Sequence, residues 1–179
     1  VPQKRERVFF CAVRNDIDVP KLELAPKHRW ISAGESTSDV QVLTDDEVKD
    51  TAPDLTAKRY WKGTKPGESF SKECERQTGK SSCFTHVRLS AELPACTLSS
   101  QAHTVTHWMD NRKLTYREWK RLGSFPDDYH AKTDKIGKYM IGMSVPPKMT
   151  EQVARAVCEQ WLNVNYSELS NDNQAQNPH

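Results

Sequence analysis

Residues 8–13 read Val-Phe-Phe-Cys-Ala-Val, an apolar run closed by Arg14-Asn15-Asp16. A surface strand alternates polar and apolar residues. A short unbroken run ended by turn chemistry is instead the pattern of a strand covered on both faces. No run approaches the roughly 18–20 apolar residues of a membrane span. The segment VPQKRERVFF has no apolar core of a signal peptide, so none is expected. A length of 179 residues allows one large or two small domains, and five each of Trp, Tyr and Phe are available to pack.

Net charge is +2, but the charge is unevenly spread. Residues 35–54 hold seven acids against Lys49, a net of −6, and residues 56–88 hold eight bases against three acids, a net of +5. A local basic segment can engage phosphates in a nearly neutral chain, and a solvated loop has the same composition. Five cysteines without a CxxC, two of them (Cys11 and Cys158) within apolar runs, suit free buried thiols in a reducing compartment. Cys74, Cys83, His86 and Cys96 are too irregularly spaced for a zinc set, and no metal is expected. His103 and His107 flank a strand-like alternation that would hold them about 13 Å apart.

Residues 18–70 show little periodicity and carry Pro20, Pro26, Pro53 and Pro66. Thr44-Asp45-Asp46-Glu47 fits a capping box at the start of a short helix. Phe84–Leu89, Ala95–Ser99 and Thr104–Trp108 look like short strands. Thr115 and Glu118 form a second capping box, predicting a helix through Leu122 that stops at Gly123 and turns Trp119 and Leu122 to the core. Pro146-Pro147 precedes a last helix, capped by Thr150, with Val153, Ala154, Val157 and Trp161 as its apolar stripe. Residues 163–179, rich in Asn, Gln and Ser, are expected to be a disordered tail.

Four ordered segments resemble the C-terminal part of the DNA (cytosine-5)-methyltransferases. Gln3-Lys4-Arg5-Glu6-Arg7 looks like the family's Gln-x-Arg-x-Arg motif. Arg88-Leu89 followed by Pro94-Ala95-Cys96-Thr97-Leu98 matches a phrase ending in Thr-Leu. Leu114-Thr115-x-Arg117-Glu118, running into Phe125-Pro126-Asp127, resembles the motif after the target recognition region. Gly142-Met143-Ser144-Val145-Pro146-Pro147 is similar to the family's Gly-Asn-x-Val-Pro-Pro.

The resemblance implies a flipped cytosine in duplex DNA, methylated at C5 with S-adenosylmethionine. Arg7 would contact the cytosine O2, and Arg5 would help hold the catalytic loop and DNA backbone. Gln3, Arg88, Thr97, Ser99, Lys62 and Lys65 would be DNA-binding, with Thr97 at a phosphate. Phe125, Met143, Ser144 and Val145 would line part of the cofactor site, with Met143 in place of the usual Asn. Thr115, Arg117, Glu118 and Trp119 would be structural.

The family's Phe-x-Gly-x-Gly, Pro-Cys-Gln and Glu-Asn-Val segments do not occur in the sequence. The chain begins at Val1, inside a motif. It is therefore expected to be a C-terminal piece, or the small subunit of a split enzyme, inactive without an N-terminal catalytic half. The expected fold is α+β. Residues 1–19 would be a strand segment of a Rossmann-like catalytic domain, 20–110 a small, mostly-β target recognition domain, and 111–162 the catalytic domain's C-terminal strand and helices. A cytoplasmic protein of bacterial or phage origin, without membrane contact, is expected. A non-catalytic DNA-binding module and a tRNA-directed family member are the alternatives.

Overall fold

The computed structural model describes residues 1–24, 29–40, 42–80 and 85–162. Among these are seven α-helices and two short strands: α1 (Ala33–Ser36), α2 (Asp45–Asp50), α3 (Leu55–Tyr60), α4 (Phe70–Thr78), β1 (Val87–Arg88), β2 (Val105–Thr106), α5 (Tyr116–Gly123), α6 (Asp134–Met143) and α7 (Pro147–Trp161). The two strands run parallel, with Val87 opposite Val105 and Arg88 opposite Thr106. The chain divides into two compact units, residues 1–6 with 29–146 and residues 7–24 with 147–162. Among the described residues no helix is long and apolar enough to cross a membrane.

The first unit is α+β but not mostly β, which corrects the expectation for residues 20–110. Helices win in its first part because polar caps recur there. Ser32 accepts from Glu35 N, Asp54 from Ala57 N and Ser69 from Ser71 N. Thr44 and Glu47 complete the expected capping box. Each such cap satisfies an orphan helix donor. Their apolar faces are then buried: Ala57 and Tyr60 of α3 pack with Phe70 and Cys74 of α4.

The main core of this unit gathers Leu89, Leu98, Val105, Leu114, Trp119, Leu122 and Ile141. Full burial of each large apolar side chain contributes about 1.5–3 kcal/mol. The Thr115–Glu118 capping box is present, and Trp119 and Leu122 are fully buried as expected. The left-handed residue that ends α5 is Ser124 (φ 59°), one position after Gly123. Gly123 lies within α5, and a Cβ there would lie 2.7 Å from Ile141 Cγ2, so its smallness serves the approach of α6. Helix α6, capped by Thr133, lay outside the expected elements. Gly137 and Gly142 interrupt its apolar pattern, and both are sites of close approach. A Cβ on Gly137 would meet the Tyr116 ring, and one on Gly142 would lie 2.2 Å from the Ser99 carbonyl oxygen.

In the second unit α7 starts at Pro147, three residues before the expected cap at Thr150. Proline suits a first helical position because its missing N–H would have no partner there. Val153 and Ala156 are the buried residues of α7, and Ala154 is exposed. Trp161 donates to Pro20 O (2.8 Å), and the Gln160 amide pairs with both backbone groups of Glu23. Residues 8–13 form no strand: Val8 is 79% exposed, Phe10 95%, and Cys11 is exposed. An apolar groove of about 410 Å³ is lined by Phe10, Val13, Ile17, Val157 and Trp161 among others. The beginning of the expected strand at Phe84, Cys83 of the zinc alternative, and the tail 163–179 lie outside the described residues.

Candidate functional site

Residues 2–5 lie alongside the 95–98 segment. Lys4 N donates to Ala95 O (2.7 Å) and Ala95 N to Pro2 O (2.9 Å), a parallel bridge that puts Gln3 opposite Ala95. Side chains then lock the register. Gln3 is buried, its amide oxygen accepting from Leu98 N (3.3 Å) and its amide nitrogen donating to Leu122 O (3.1 Å). The Thr97 hydroxyl donates to Lys4 O (2.5 Å).

Arg5 is buried and ties three segments together. Its guanidinium donates to Leu98 O, to Gly142 O (2.8 Å) and to Ser144 O (2.5 Å). Gly142 packs on the Ser99–Ser100 peptide, where no side chain fits. The segments around residues 2–5, 95–99, 122 and 142–144 therefore meet in one hydrogen-bonded cluster. The planar fork reaches carbonyls on separate segments at once, a geometry that a single ammonium does not reproduce.

The remaining candidates divide by exposure. Thr97 and Ser99 are exposed at the edge of this cluster, the Ser99 hydroxyl accepting from Gln101 N. Met143 is 62% and Val145 38% exposed, whereas Ser144 turns its hydroxyl onto Ile141 O (2.8 Å). Phe125 is half-buried against the main core, with its ring 4.8 Å from that of Tyr129. Arg7 is exposed and belongs to the second unit.

Lys62 and Lys65 are exposed on the loop between α3 and α4. Arg88 faces inward. It donates to Trp108 O through Nε (3.0 Å) and Nη2 (2.7 Å), and to Thr64 O (2.8 Å), and it lies 3.8 Å from the centre of the Trp61 ring. Burial lowers its pKa from the ordinary value. The basic stretch 56–88 is further thinned by Arg76, which pairs with Glu73 (2.8 Å) and Glu68 (3.1 Å). Sequence reasoning missed the turn that Arg88 supports, residues 108–111. Its signal was Asp110-Asn111 after the Thr104–Trp108 alternation, a turn pair in the usual sense.

Comparison with known proteins gives one consistent picture. The family described as C-5 cytosine-specific DNA methylase matches residues 1–159. Type II methyltransferase M.BbvI of Brevibacillus brevis is 28% identical over 182 aligned residues, covering 95% of this chain and 48% of that protein. Type II methyltransferase M.Eco47II of Escherichia coli is 29% identical over 178, covering 88% and 42%. Type II methyltransferase M.AquIB of Picosynechococcus sp. is 31% identical over 93, covering 45% and 67%. The chain spans about half the length of the first of these relatives. No solved structure matches it.

Proposed function

The chain belongs to the C-5 cytosine-specific DNA methylases, and on that premise we propose that it is the DNA-recognition and C-terminal portion of a DNA (cytosine-5)-methyltransferase of a restriction-modification system. The observation that carries this reading is the cluster organised by Gln3 and Arg5. It joins residues from or beside all four motif segments through buried side-chain hydrogen bonds of Gln3 and Arg5. The relatives' names as Type II methyltransferases support the same assignment.

In this reading the substrate is duplex DNA in the cytoplasm of a bacterium or phage-infected cell. Residues 20–110 form the target recognition domain, and 1–19 with 111–162 belong to a Rossmann-like catalytic domain. Thr97 and Ser99, exposed at the edge of the cluster, lie beside a phosphate next to the extruded cytosine, with the Ser99 hydroxyl as donor because that of Thr97 is spent on Lys4 O, and Lys62 and Lys65 contact phosphates further along. Such contacts fix register and carry no sequence information. Arg5 and Gln3 act from below by holding the 97–99 segment. Arg7 reaches the cytosine O2 and stabilises charge that develops on the ring, a role favoured in a dry, preorganised site.

S-adenosylmethionine supplies the methyl group in this family. Met143 and Val145 offer exposed apolar surface for the aliphatic part of such a molecule, and Phe125 is half-buried against the main core. The Ser144 hydroxyl and carbonyl are both spent within the protein. The cofactor's charged ends are therefore met by backbone groups here or by other residues, not by these four side chains.

The sequence holds no Pro-Cys-Gln segment to supply the nucleophile. The chain alone is expected to transfer no labelled methyl group to DNA. Adding a catalytic half that carries Pro-Cys-Gln and Phe-x-Gly-x-Gly segments is expected to restore transfer. Methylation by the isolated chain, or none by the mixture, would count against the proposal. In the complete enzyme Arg7→Ala is expected to lower kcat by about tenfold or more, with a smaller change in KM, because the contact strengthens in the transition state. A loss confined to KM would make Arg7 a ground-state binding residue.

A further inference from the structure

The turn at residues 108–111 is fixed far more strongly than a solvent-exposed turn requires. The buried His107 ring stacks on Trp108 with centroids 3.9 Å apart, and its Nδ1 accepts from Met109 N (3.2 Å) and Asp110 N (3.1 Å). His107 N donates to Arg112 O and Arg112 N to Asp110 O. Two N–H groups of Arg88 hold Trp108 O from below. At the apex of this braced turn Met109 is 71% exposed, and the Asp110 side chain is 60% exposed.

The turn is joined to the lysine loop by the same groups. One guanidinium takes both Trp108 O and Thr64 O, and the Trp61 indole N–H donates to His107 O (3.0 Å). Lys62 and Lys65 each lie one residue from these anchors, as Met109 does from Trp108. Two loops tied to each other thus carry the exposed groups: one the Met109 thioether and the Asp110 carboxylate, which lies 3.6 Å from Arg112 Nε, the other Lys62 and Lys65. The lysines suit phosphates. The carboxylate does not, since phosphate repels it, but it can accept from the amino group of cytosine on a base edge. A methionine side chain packs against the methyl group of thymine in the same groove.

Resting on the function proposed above, we infer that the 108–111 turn is a base-reading element, with Met109 and Asp110 facing base edges and Arg88 as the residue that positions it. Arg88 itself makes no DNA contact in this assignment.

The test is selection of duplexes with a randomised centre by the 179-residue chain, followed by sequencing of the bound pool and measurement of affinity for the selected duplex. The wild-type chain is expected to enrich a defined sequence. Met109→Ala and Asp110→Ala are each expected to relax preference at one or two positions and to weaken binding of the selected duplex by about 5- to 150-fold, the equivalent of about 1–3 kcal/mol per base contact. Lys62→Ala is expected to weaken binding of all sequences evenly. Arg88→Lys keeps the charge but not the fork, and is expected to relax the same positions as Asp110→Ala, with tryptophan fluorescence confirming that the fold persists. If Arg88→Lys unfolds the chain, the two turn variants decide alone. A wild-type sequence preference that both turn variants retain overturns the inference and leaves the proposed function standing. A wild-type chain that enriches nothing overturns both.

Discussion

Arg5→Ala is expected to lower folding stability by about 3–5 kcal/mol, read as a fall in the urea midpoint with an unchanged slope. The side chain is buried, and its guanidinium serves carbonyls at Leu98, Gly142 and Ser144. Removing it leaves these acceptors without that donor at a buried position, at a cost of about 1–3 kcal/mol for each one fully stranded. Partial relaxation and water entry reduce the sum. Arg5→Lys restores a charge but cannot span carbonyls on separate segments, so it is expected to recover less than half of the loss. A midpoint unmoved by Arg5→Ala would remove the residue from its organising role.

Acid is expected to destabilise the first unit through His107. Burial, followed by the nearby Arg112 guanidinium, depresses its pKa from 6.5 to about 4. Its Nδ1 already accepts two backbone N–H bonds, so a proton there would displace both. Between those two pH values the unfolded chain binds a proton that the folded chain refuses. The His107 contribution is therefore complete above about pH 6.5, falls as pH drops towards 4, and levels off below. The full span is about 3 kcal/mol at 1.36 kcal/mol per pH unit. Urea titrations of the wild type and His107→Gln at several pH values isolate this contribution from the other histidines. The variant is expected to be less stable at neutral pH and to lose less on acidification. Parallel pH profiles would mean that His107 titrates normally in the folded chain.

The legible parts of the fold were those written in local chemistry. Thr44 with Glu47 and Thr115 with Glu118 announce helix starts within four residues, and both capping boxes are present. Trp119 and Leu122 follow from the second one. Helix α6 was not anticipated; its Gly137 and Gly142 are poor helix formers by propensity, and each is a point where another segment leaves no room for a Cβ. That information lies in the partner segment, not in the helix. The apolar run 8–13 predicted a covered strand because composition records a demand for burial, but a strand also needs a neighbour's ladder.

The candidate site was legible as segments and not as geometry. The structure draws residues from or beside each of the four motif segments to Gln3 and Arg5. Which way an arginine points is invisible in sequence. Arg5, Arg7 and Arg88 are equally basic on paper, yet Arg5 and Arg88 are spent on backbone carbonyls and Arg7 is exposed. The net charge of residues 56–88 overstated the basic surface for the same reason, since Arg76 and Arg88 are both engaged within the protein.

The largely exposed, unpaired stretch at residues 8–13 bears on how the chain behaves during synthesis and storage. A strand-length segment carrying two adjacent phenylalanines is the kind of sequence that self-associates through cross-β pairing when nothing shields it. Its flanks work against this. Lys4, Arg5, Glu6 and Arg7 precede it, and Arg14 with Asp16, joined by an ion pair at 2.7 Å, follow it. Charged residues at both ends of a sticky segment act as gatekeepers, because stacking copies in register would stack like charges. Aggregation of the chain should accordingly rise with salt, and Phe10→Lys should suppress it.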